Sequence, residues 1–229
     1  MIRAVIFDKD GTLFDFRKSW GAWCRAVLAR LAPDPVTRDR LAAVLGFDPD
    51  TGDFAPTSPV IACTSPEVVA LVHQALPGSE LAMLDRLLND LAVQIPMIQA
   101  VDLPRVLGGL KRRGLVLGLA TNDTEAPARV HLDQAGVLDL FDFVAGCDSG
   151  WGGKPAPGQL IAFAMAHGLN PIEVAMVGDS THDLHAGRAA GMKAVAVLTG
   201  IAKAEALAPH ADVVLPSIAG LGVWIDGII

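Results

Sequence analysis

Two aspartates, Asp8 and Asp10, are separated by one residue at the end of a short apolar run, residues 4–7, near the start of this 229-residue chain. The run predicts a buried strand. Neighbouring ionised carboxylates repel each other unless a cation or a shared proton compensates, so a core strand has no structural use for two of them at its end. Two turn residues before Gly11 are the structural alternative, because Asp and Gly are common in turns. The chemical interpretation is a metal-assisted phosphoryl-transfer site in which Asp8 is the nucleophile.

Polar residues stand at the ends of two later apolar runs as well. Thr121 and Asp179 each follow a run that is typical of a buried strand, and Lys154 lies in a glycine-rich loop between a predicted strand and a predicted helix. In an open α/β sheet, ligands bind beyond the carboxyl ends of the strands. These three residues are therefore predicted to converge with Asp8 in one crevice.

The carboxylates can be assigned roles from the chemistry of phosphoryl transfer, which needs a nucleophile, positive charge around the phosphate oxygens and a proton donor for the leaving group. Asp8 can attack phosphorus and form an aspartyl-phosphate. Mg²⁺ relieves the charge repulsion and prefers a few carboxylates as ligands, which makes Asp179 the second carboxylate beside Asp8. Asp183, in the first turn of the next predicted helix, could hold a metal-bound water or orient Lys154. Asp10 is left as general acid for the leaving oxygen and general base for the hydrolytic water, and its carboxylate neighbour favours the raised pKa that this role needs.

The phosphate group is expected to bind to Lys154, Thr121 and Asn122. Lys154 supplies a point positive charge. The Thr121 hydroxyl and the backbone amides after it, beginning with Asn122, can donate to phosphate oxygens near a helix N-terminus.

Hydrophobic periodicity divides the chain into two kinds of region. In the second half, predicted helices alternate with short apolar strands, which indicates an α/β fold with a doubly wound, parallel-sheet, Rossmann-like core. Residues 17–93 are mostly helical and contain no convincing parallel strand. We therefore predict an inserted helical cap domain at 17–93 and an α/β catalytic core made of 1–16 and 94–229. Two helices of the insert are expected to begin behind the N-caps Ser19 and Ser65.

The composition limits the partners and the compartment. A formal net charge of −7 argues against general nucleic-acid binding, which needs a basic face, but not against an anionic substrate in a locally cationic pocket. No apolar run approaches the roughly 18 residues of a membrane span, and Asp8 and Asp10 stand where a signal peptide would be apolar. The three cysteines form neither a metal-ligand pattern nor a disulfide framework, so we expect a cytoplasmic protein with no membrane association.

The order of the motifs resembles that of the haloacid dehalogenase-like (HAD) hydrolase superfamily. The four similar segments are Asp8-Lys9-Asp10-Gly11-Thr12, Thr121, Gly153-Lys154-Pro155 and Gly178-Asp179-Ser180-Thr181-His182-Asp183. The resemblance implies that Mg²⁺ is bound by Asp8, Asp179 and the main-chain carbonyl of Asp10. It also implies a cap of the type found in phosphoglycolate phosphatases and β-phosphoglucomutases, which closes over the core and selects the substrate. Because the dehalogenase branch lacks the second aspartate of the first motif, Asp10 favours phosphate chemistry over dehalogenation.

The function that this resemblance favours is a Mg²⁺-dependent phosphatase acting on a small phosphorylated metabolite, such as phosphoglycolate or a sugar phosphate. Two alternatives stay open. A phosphomutase would use the same aspartyl-phosphate and return the phosphoryl group to a sugar hydroxyl. A receiver-like signalling module also uses a phosphorylated Asp, although the long insert and Asp10 argue against it. The oligomeric state is expected to be a monomer or a homodimer.

Four residues near the predicted site are given no chemical role by the sequence. Strand alternation should point Lys9 away from the Asp8 and Asp10 side chains, as a structural or solvated lysine. His131 has no partner at an informative spacing. Trp20 and Trp23 are interpreted as packing within the insert.

Overall fold

A six-stranded parallel sheet forms the centre of the computed structural model, which describes residues 1–228. The strands are β1 (Ala4–Phe7), β2 (Val116–Ala120), β3 (Phe143–Ala145), β4 (Val174–Gly178), β5 (Lys193–Val197) and β6 (Val213–Leu215). Their order in the sheet is β3-β2-β1-β4-β5-β6, and every neighbouring pair is parallel. The predicted fold class, a doubly wound Rossmann-like α/β core, is confirmed.

The helices follow the strands in alternation after β2 and are consecutive before it. They are α1 (Phe16–Leu31), α2 (Pro35–Leu45), α3 (Pro59–Ala62), α4 (Ser65–Ala75), α5 (Leu81–Gln94), α6 (Leu103–Arg112), α7 (Glu125–Gln134), α8 (Gly158–Ala166), α9 (Thr181–Ala189), α10 (Ala204–Leu207) and α11 (Leu221–Asp226). Within residues 1–228, no helix is both long and apolar enough to cross a membrane.

Both faces of the sheet are covered, because its central strands are apolar at every position. In β1 the side chains alternate between two hydrophobic clusters: Val5 and Phe7 pack with Leu119 of β2 on one face, whereas Ile6 packs with Phe163 of α8 on the other. Parallel strands buried on both faces read as continuous apolar runs rather than as alternating ones. The core therefore fixes the strand ends rigidly, and the residues that follow them are held in register.

The helices α1 to α5 bury a separate hydrophobic cluster of their own. Trp23 and Val27 of α1, Leu41 of α2, Val72 of α4 and Leu84 of α5 are among its members. The helices of the insert therefore pack against one another around a hydrophobic core that is separate from that of the sheet. The assignment of 17–93 as a cap domain between 1–16 and 94–229 stays a prediction.

The structure corrects both predicted N-caps in the insert. Helix α1 begins at Phe16, because the carboxylate of Asp15 accepts a hydrogen bond from the backbone N–H of Lys18 at 3.1 Å. Ser19 is buried inside that helix, where its hydroxyl accepts from the backbone N–H of Ile98 at 3.2 Å. Serine and aspartate are both favoured N-caps, so composition alone did not decide between two candidates four residues apart.

In α4 the cap lies one residue earlier than predicted, at Thr64 instead of Ser65. The Glu67 carboxylate accepts from the backbone N–H of Thr64 at 2.7 Å. This is the reciprocal half of a capping box, which needs the acidic residue three positions after the cap.

Candidate active site

The carboxyl ends of three adjacent strands bring the predicted residues together. Asp8 follows β1, Thr121 follows β2 and Asp179 follows β4, and these strands are neighbours in the sheet. All three side chains are buried and line one cavity, together with Lys154 from the loop between β3 and α8. The convergence predicted from the strand ends is what the structure shows.

Three carboxylates form the acidic part of this cavity. Asp8, Asp179 and Asp183 each offer an oxygen atom, and these atoms lie within 4.8 Å of one another. Asp183 is fixed in the first turn of α9, where its Oδ2 accepts from the Ser180 hydroxyl at 2.7 Å and from the Ser180 backbone N–H at 3.1 Å. Its position is therefore set by the start of the helix.

Glycine makes room for the Asp179 carboxylate on two sides. A Cβ atom added at Gly11 or at Gly200 would collide with the Asp179 side chain. Gly11 also has a φ of +87°, a left-handed conformation that residues with a Cβ atom rarely adopt. The turn after β1 therefore requires glycine for both its conformation and its close approach to the site.

Lys154 is the cation that joins the carboxylates. Its Nζ donates to Asp8 Oδ1 at 2.5 Å and to Asp183 Oδ1 at 2.7 Å, and its side chain is almost completely buried. Burial by itself would lower the pKa of Lys154, but the carboxylates of Asp183 and Asp8 outweigh it and hold the pKa above its ordinary value. The lysine is thus charged at neutral pH and points at the candidate nucleophile.

One lysine does not balance three carboxylates. Burial raises the pKa of Asp8 to about 7, opposed by Lys154 and reinforced by Asp183 and Asp10. Burial, with Asp8 and Asp183, also raises the pKa of Asp179 well above its usual range. A hard divalent cation with oxygen ligands would relieve this excess of negative charge. The donor set, three buried carboxylates with oxygen atoms within 4.8 Å of one another, fits Mg²⁺.

Asp10 is oriented differently from the other acids, because its carboxylate pairs with Lys9 and is not part of the three-carboxylate group. Lys9 is completely buried, and its Nζ lies 2.8 Å from Asp10 Oδ2 and 3.1 Å from Asp123 Oδ2. The prediction that Lys9 points away from Asp10 is wrong. Strand β1 ends at Phe7, so the alternation that the prediction assumed no longer holds at Lys9.

His131 completes this network, and sequence reasoning missed it. The Lys9 ammonium donates to His131 Nδ1 at 3.2 Å, and His131 Nε2 donates to the Ala92 carbonyl of α5 at 2.8 Å. An ammonium group only donates and a carbonyl only accepts, so the imidazole carries its proton on Nε2. Burial, together with the charge of Lys9, lowers the pKa of His131 to about 4. The neutral ring thus connects the residue beside Asp10 to a helix of the insert.

Asp123 is the other residue that the sequence did not single out. It is buried, and burial raises the pKa of its carboxyl despite the nearby Lys9. A carboxylate two residues after Thr121, at the end of a predicted strand, was a signal of the same kind as Asp10 and could have identified it. No such signal exists for His131, which lies inside α7 and is separated from Lys9 by 122 positions.

Thr121 and Asn122, two of the three residues predicted to bind phosphate, lie directly after β2, and that role stays a prediction. The Thr121 hydroxyl accepts from the Asp123 backbone N–H at 3.1 Å. The Asn122 side chain accepts from the Lys154 backbone N–H at 2.7 Å and donates to the Lys154 carbonyl at 2.9 Å and to the Ala62 carbonyl at 2.7 Å. Because its amide is used to hold these loops, Asn122 is left with its backbone N–H for a phosphate oxygen.

Comparison with known proteins agrees with this geometry. The family model of the haloacid dehalogenase-like hydrolases matches residues 2–191, and the chain therefore belongs to that family. The phosphoglycolate phosphatase of Chromobacterium violaceum is 31% identical over 231 residues, covering 96% of this chain and 95% of the relative. The resemblance seen in the motifs is confirmed, as is the enzyme class that they predicted, a phosphatase of the HAD type.

Solved structures show the same fold at lower identity. A predicted phosphoglycolate phosphatase from Haemophilus somnus 129pt superposes with a TM-score of 0.75 at 20% identity, covering 98% of each chain. The β-phosphoglucomutase of Clostridium difficile superposes with a TM-score of 0.68 at 20% identity, covering 99% of this chain and 96% of that one. At such identities the likeness concerns the fold and not the reaction.

Proposed function

We propose that this protein is a Mg²⁺-dependent phosphatase that hydrolyses a small phosphate monoester through an aspartyl-phosphate on Asp8. The observation that supports this most is the position of Lys154, whose Nζ bonds to Asp8 and Asp183 beside the three-carboxylate group. A nucleophilic carboxylate, a fixed cation and a divalent-metal donor set at one point are the components that phosphoryl transfer requires.

Asp8 and Asp10 would act in both half-reactions of the hydrolysis. In the first, an oxygen of Asp8 bonds to phosphorus, the bond from phosphorus to the ester oxygen breaks, and Asp10 gives its proton to the leaving oxygen. In the second, Asp10 takes a proton from water, the water oxygen bonds to phosphorus, and the bond from phosphorus to the Asp8 oxygen breaks, which releases phosphate and restores the Asp8 carboxylate. Mg²⁺ held by Asp8, Asp179 and the main-chain carbonyl of Asp10 would supply positive charge beside the phosphate oxygens.

Other residues bind and orient the phosphate. Lys154 would neutralise an equatorial oxygen, and the Thr121 hydroxyl and the Asn122 backbone N–H would donate to the others. Asp183 holds Lys154 in line with Asp8. We propose that residues 17–93 act as the cap that covers the site, because α1, α3, α4 and α5 all contribute side chains to the cavity.

The substrate class is the part of the proposal that relatives inform. Phosphoglycolate and sugar phosphates are the first esters to assay, because the Chromobacterium violaceum relative is a phosphoglycolate phosphatase and the family resemblance includes sugar-phosphate enzymes. Three free cysteines are compatible with the reducing cytoplasm in which we place the enzyme.

The test is phosphate release from a panel of small phosphate esters, measured with Mg²⁺ and with a chelator. We expect chelator-sensitive release that Asp8→Asn abolishes, while the exposed-residue control Asp50→Asn keeps it. Release that continues in Asp8→Asn, or that ignores the chelator, would contradict the mechanism. An isomeric phosphate ester formed with little free phosphate would instead identify a phosphomutase.

A further inference from the structure

The wall of the cavity opposite the carboxylates is almost entirely apolar. It is lined by side chains of the insert: Trp20, Trp23, Val60, Ile61, Val68, Val69, Leu88 and Ala92. Ser65 and Cys63 are the polar residues on this wall, and neither is charged. We call this set of side chains the apolar roof. The cavity between it and the carboxylates has a volume of about 60 Å³, which is room for only a compact group.

The two tryptophans of the apolar roof have different hydrogen-bonding states. They pack edge to face with ring centroids 5.3 Å apart. Trp23 Nε1 donates to the Leu88 carbonyl at 3.1 Å, whereas Trp20 Nε1 is buried with no partner in the described part of the chain. A buried indole N–H without a partner is uncommon, so one hydrogen-bond donor is left over beside the cavity.

Most of the charged side chains that line the cavity are acidic. Asp10 and Asp123 also line it, in addition to the three carboxylates around Lys154. Within residues 1–228, the basic side chains that line the cavity are Lys154, which is already bonded to two carboxylates, and His182. Arg17 lies in an adjoining groove, where it pairs with Asp53 at 3.1 Å. Within residues 1–228, a leaving group in the cavity itself would thus meet carboxylates and hydrocarbon, with His182 as the basic side chain besides Lys154, while Lys203 lies in the adjoining groove with Arg17.

This wall does not match either of the first candidate substrates. The carboxylate of glycolate would be desolvated between Asp10, Asp123 and the apolar roof without a counter-charge. A sugar would bury several hydroxyl groups against the apolar roof, whose polar side chains are those of Ser65 and Cys63, and each polar group left unsatisfied there costs free energy. Pockets that bind sugars or carboxylates supply convergent polar groups, which this wall lacks.

We infer that the natural substrate is a phosphate monoester with a compact, uncharged and mainly apolar leaving group that carries at most one hydrogen-bond acceptor. The apolar roof would take the hydrocarbon part, and the unpartnered indole N–H of Trp20 would donate to the acceptor. The inference rests on the proposed phosphatase function and narrows its substrate class.

The test compares two esters of nearly equal size, phosphoglycolate and hydroxyacetone phosphate. The second replaces one carboxylate oxygen with a methyl group and keeps a carbonyl acceptor, so the pair differs mainly in charge. With Mg²⁺ present, we expect kcat/KM for hydroxyacetone phosphate to exceed that for phosphoglycolate by at least about 100-fold, which corresponds to about 2.7 kcal/mol at 1.36 kcal/mol per factor of ten.

A variant that adds a cation to the apolar roof tests the physical cause. Ile61 is half-buried at the edge between the cavity and the groove, so a lysine there can reach the leaving group. Ile61→Lys should lower the preference for the neutral ester at least about tenfold, whereas the uncharged control Ile61→Met, similar in length, should leave it unchanged.

The outcomes separate the inference from the function on which it rests. Wild-type kcat/KM that is equal for the two esters, or higher for phosphoglycolate, would overturn the inference while leaving the phosphatase in place. An equal effect of Ile61→Lys and Ile61→Met would show that charge is not the cause and would also overturn it. Release from other esters of the panel but from neither of these two would overturn the inference alone. Release from no ester of the panel would contradict the phosphatase function, and the inference would fall with it.

Discussion

Replacing His131 with glutamine should change how the stability of this protein depends on pH. His131 is completely buried, and burial with the neighbouring Lys9 lowers its pKa from the usual 6.5 to about 4. In the unfolded chain the imidazole regains its ordinary pKa. Between pH 6.5 and pH 4 the unfolded state therefore binds a proton that the native state does not.

The magnitude follows from this difference. Because the unfolded state binds more protons, a lower pH stabilises it relative to the native state. The free energy of unfolding therefore rises with pH in this window and falls as the pH is lowered through it. The contribution of His131 is fully present above pH 6.5. Each pH unit is worth at most about 1.36 kcal/mol, which gives a loss of about 2 kcal/mol between pH 6.5 and pH 5, and of about 3 kcal/mol by pH 4.

The assay is urea unfolding followed by tryptophan fluorescence at pH 8, 7, 6 and 5, for wild type, His131→Gln and a control. Glutamine can donate to the Ala92 carbonyl as the imidazole does, but it does not titrate. Carboxylates such as Asp8 titrate equally in both proteins, so their effect cancels in the difference between the two curves. The control is His185→Gln, because His185 is exposed.

We expect the free energy of unfolding of His131→Gln to fall by about 2 kcal/mol less than that of wild type between pH 6.5 and pH 5. The control should follow the wild-type curve. If wild type and His131→Gln lose the same free energy over this range, the imidazole is not held neutral by burial beside Lys9, and the reasoning is refuted whatever the absolute stability of the variant.

Three further predictions concern residues in and around the candidate active site. Lys154→Ala should lower kcat by at least about 100-fold with a smaller change in KM, because the lysine stabilises charge that develops in the transition state. Unchanged steady-state kinetics would contradict this prediction. Lys9→Met should lower the free energy of unfolding by about 3–5 kcal/mol, because it leaves the buried Asp123 carboxylate and the partly buried Asp10 carboxylate without their cation. In urea unfolding, adding Asp123→Asn to that variant should recover part of the loss, and a double variant no more stable than the single one would argue against the pairing. Gly11→Ala should weaken Mg²⁺ binding, because the methyl group would enter the space of the Asp179 carboxylate. Titration calorimetry measures that affinity, and wild-type affinity would show that the turn yields without moving Asp179.

The parts of the site that depend on local sequence patterns were predictable. Asp8, Thr121 and Asp179 each follow an apolar run, and an apolar run of strand length predicts a buried strand wherever it occurs. Once the strands are parallel, their carboxyl ends share one edge of the sheet. The order of the family motifs along the chain then predicts which role each residue at a strand end has. Convergence of residues more than a hundred positions apart thus follows from patterns of four to six residues.

The details of capping were less predictable for a physical reason. Asp15 and Ser19 are both good N-caps, and each could begin a helix in isolation. Asp15 is the N-cap of α1, and Ser19 lies within the helix, because Ser19 is buried against the segment after α5, where its hydroxyl accepts a hydrogen bond from the Ile98 backbone N–H. That contact spans 79 positions and is invisible to any local pattern.

The fold class, the catalytic family and the residues at the strand ends could be predicted from the sequence, because each depends on short-range periodicity or on a contiguous motif. The position of the Lys9 side chain, its contacts with Asp123 and His131, and the almost entirely apolar wall opposite the carboxylates became visible only in the folded structure. These features depend on which side chains from distant elements face one another once the core has packed. Burial then sets the chemistry: the same imidazole that would titrate near pH 6.5 in an unfolded chain stays neutral to about pH 4 between Lys9 and the Ala92 carbonyl.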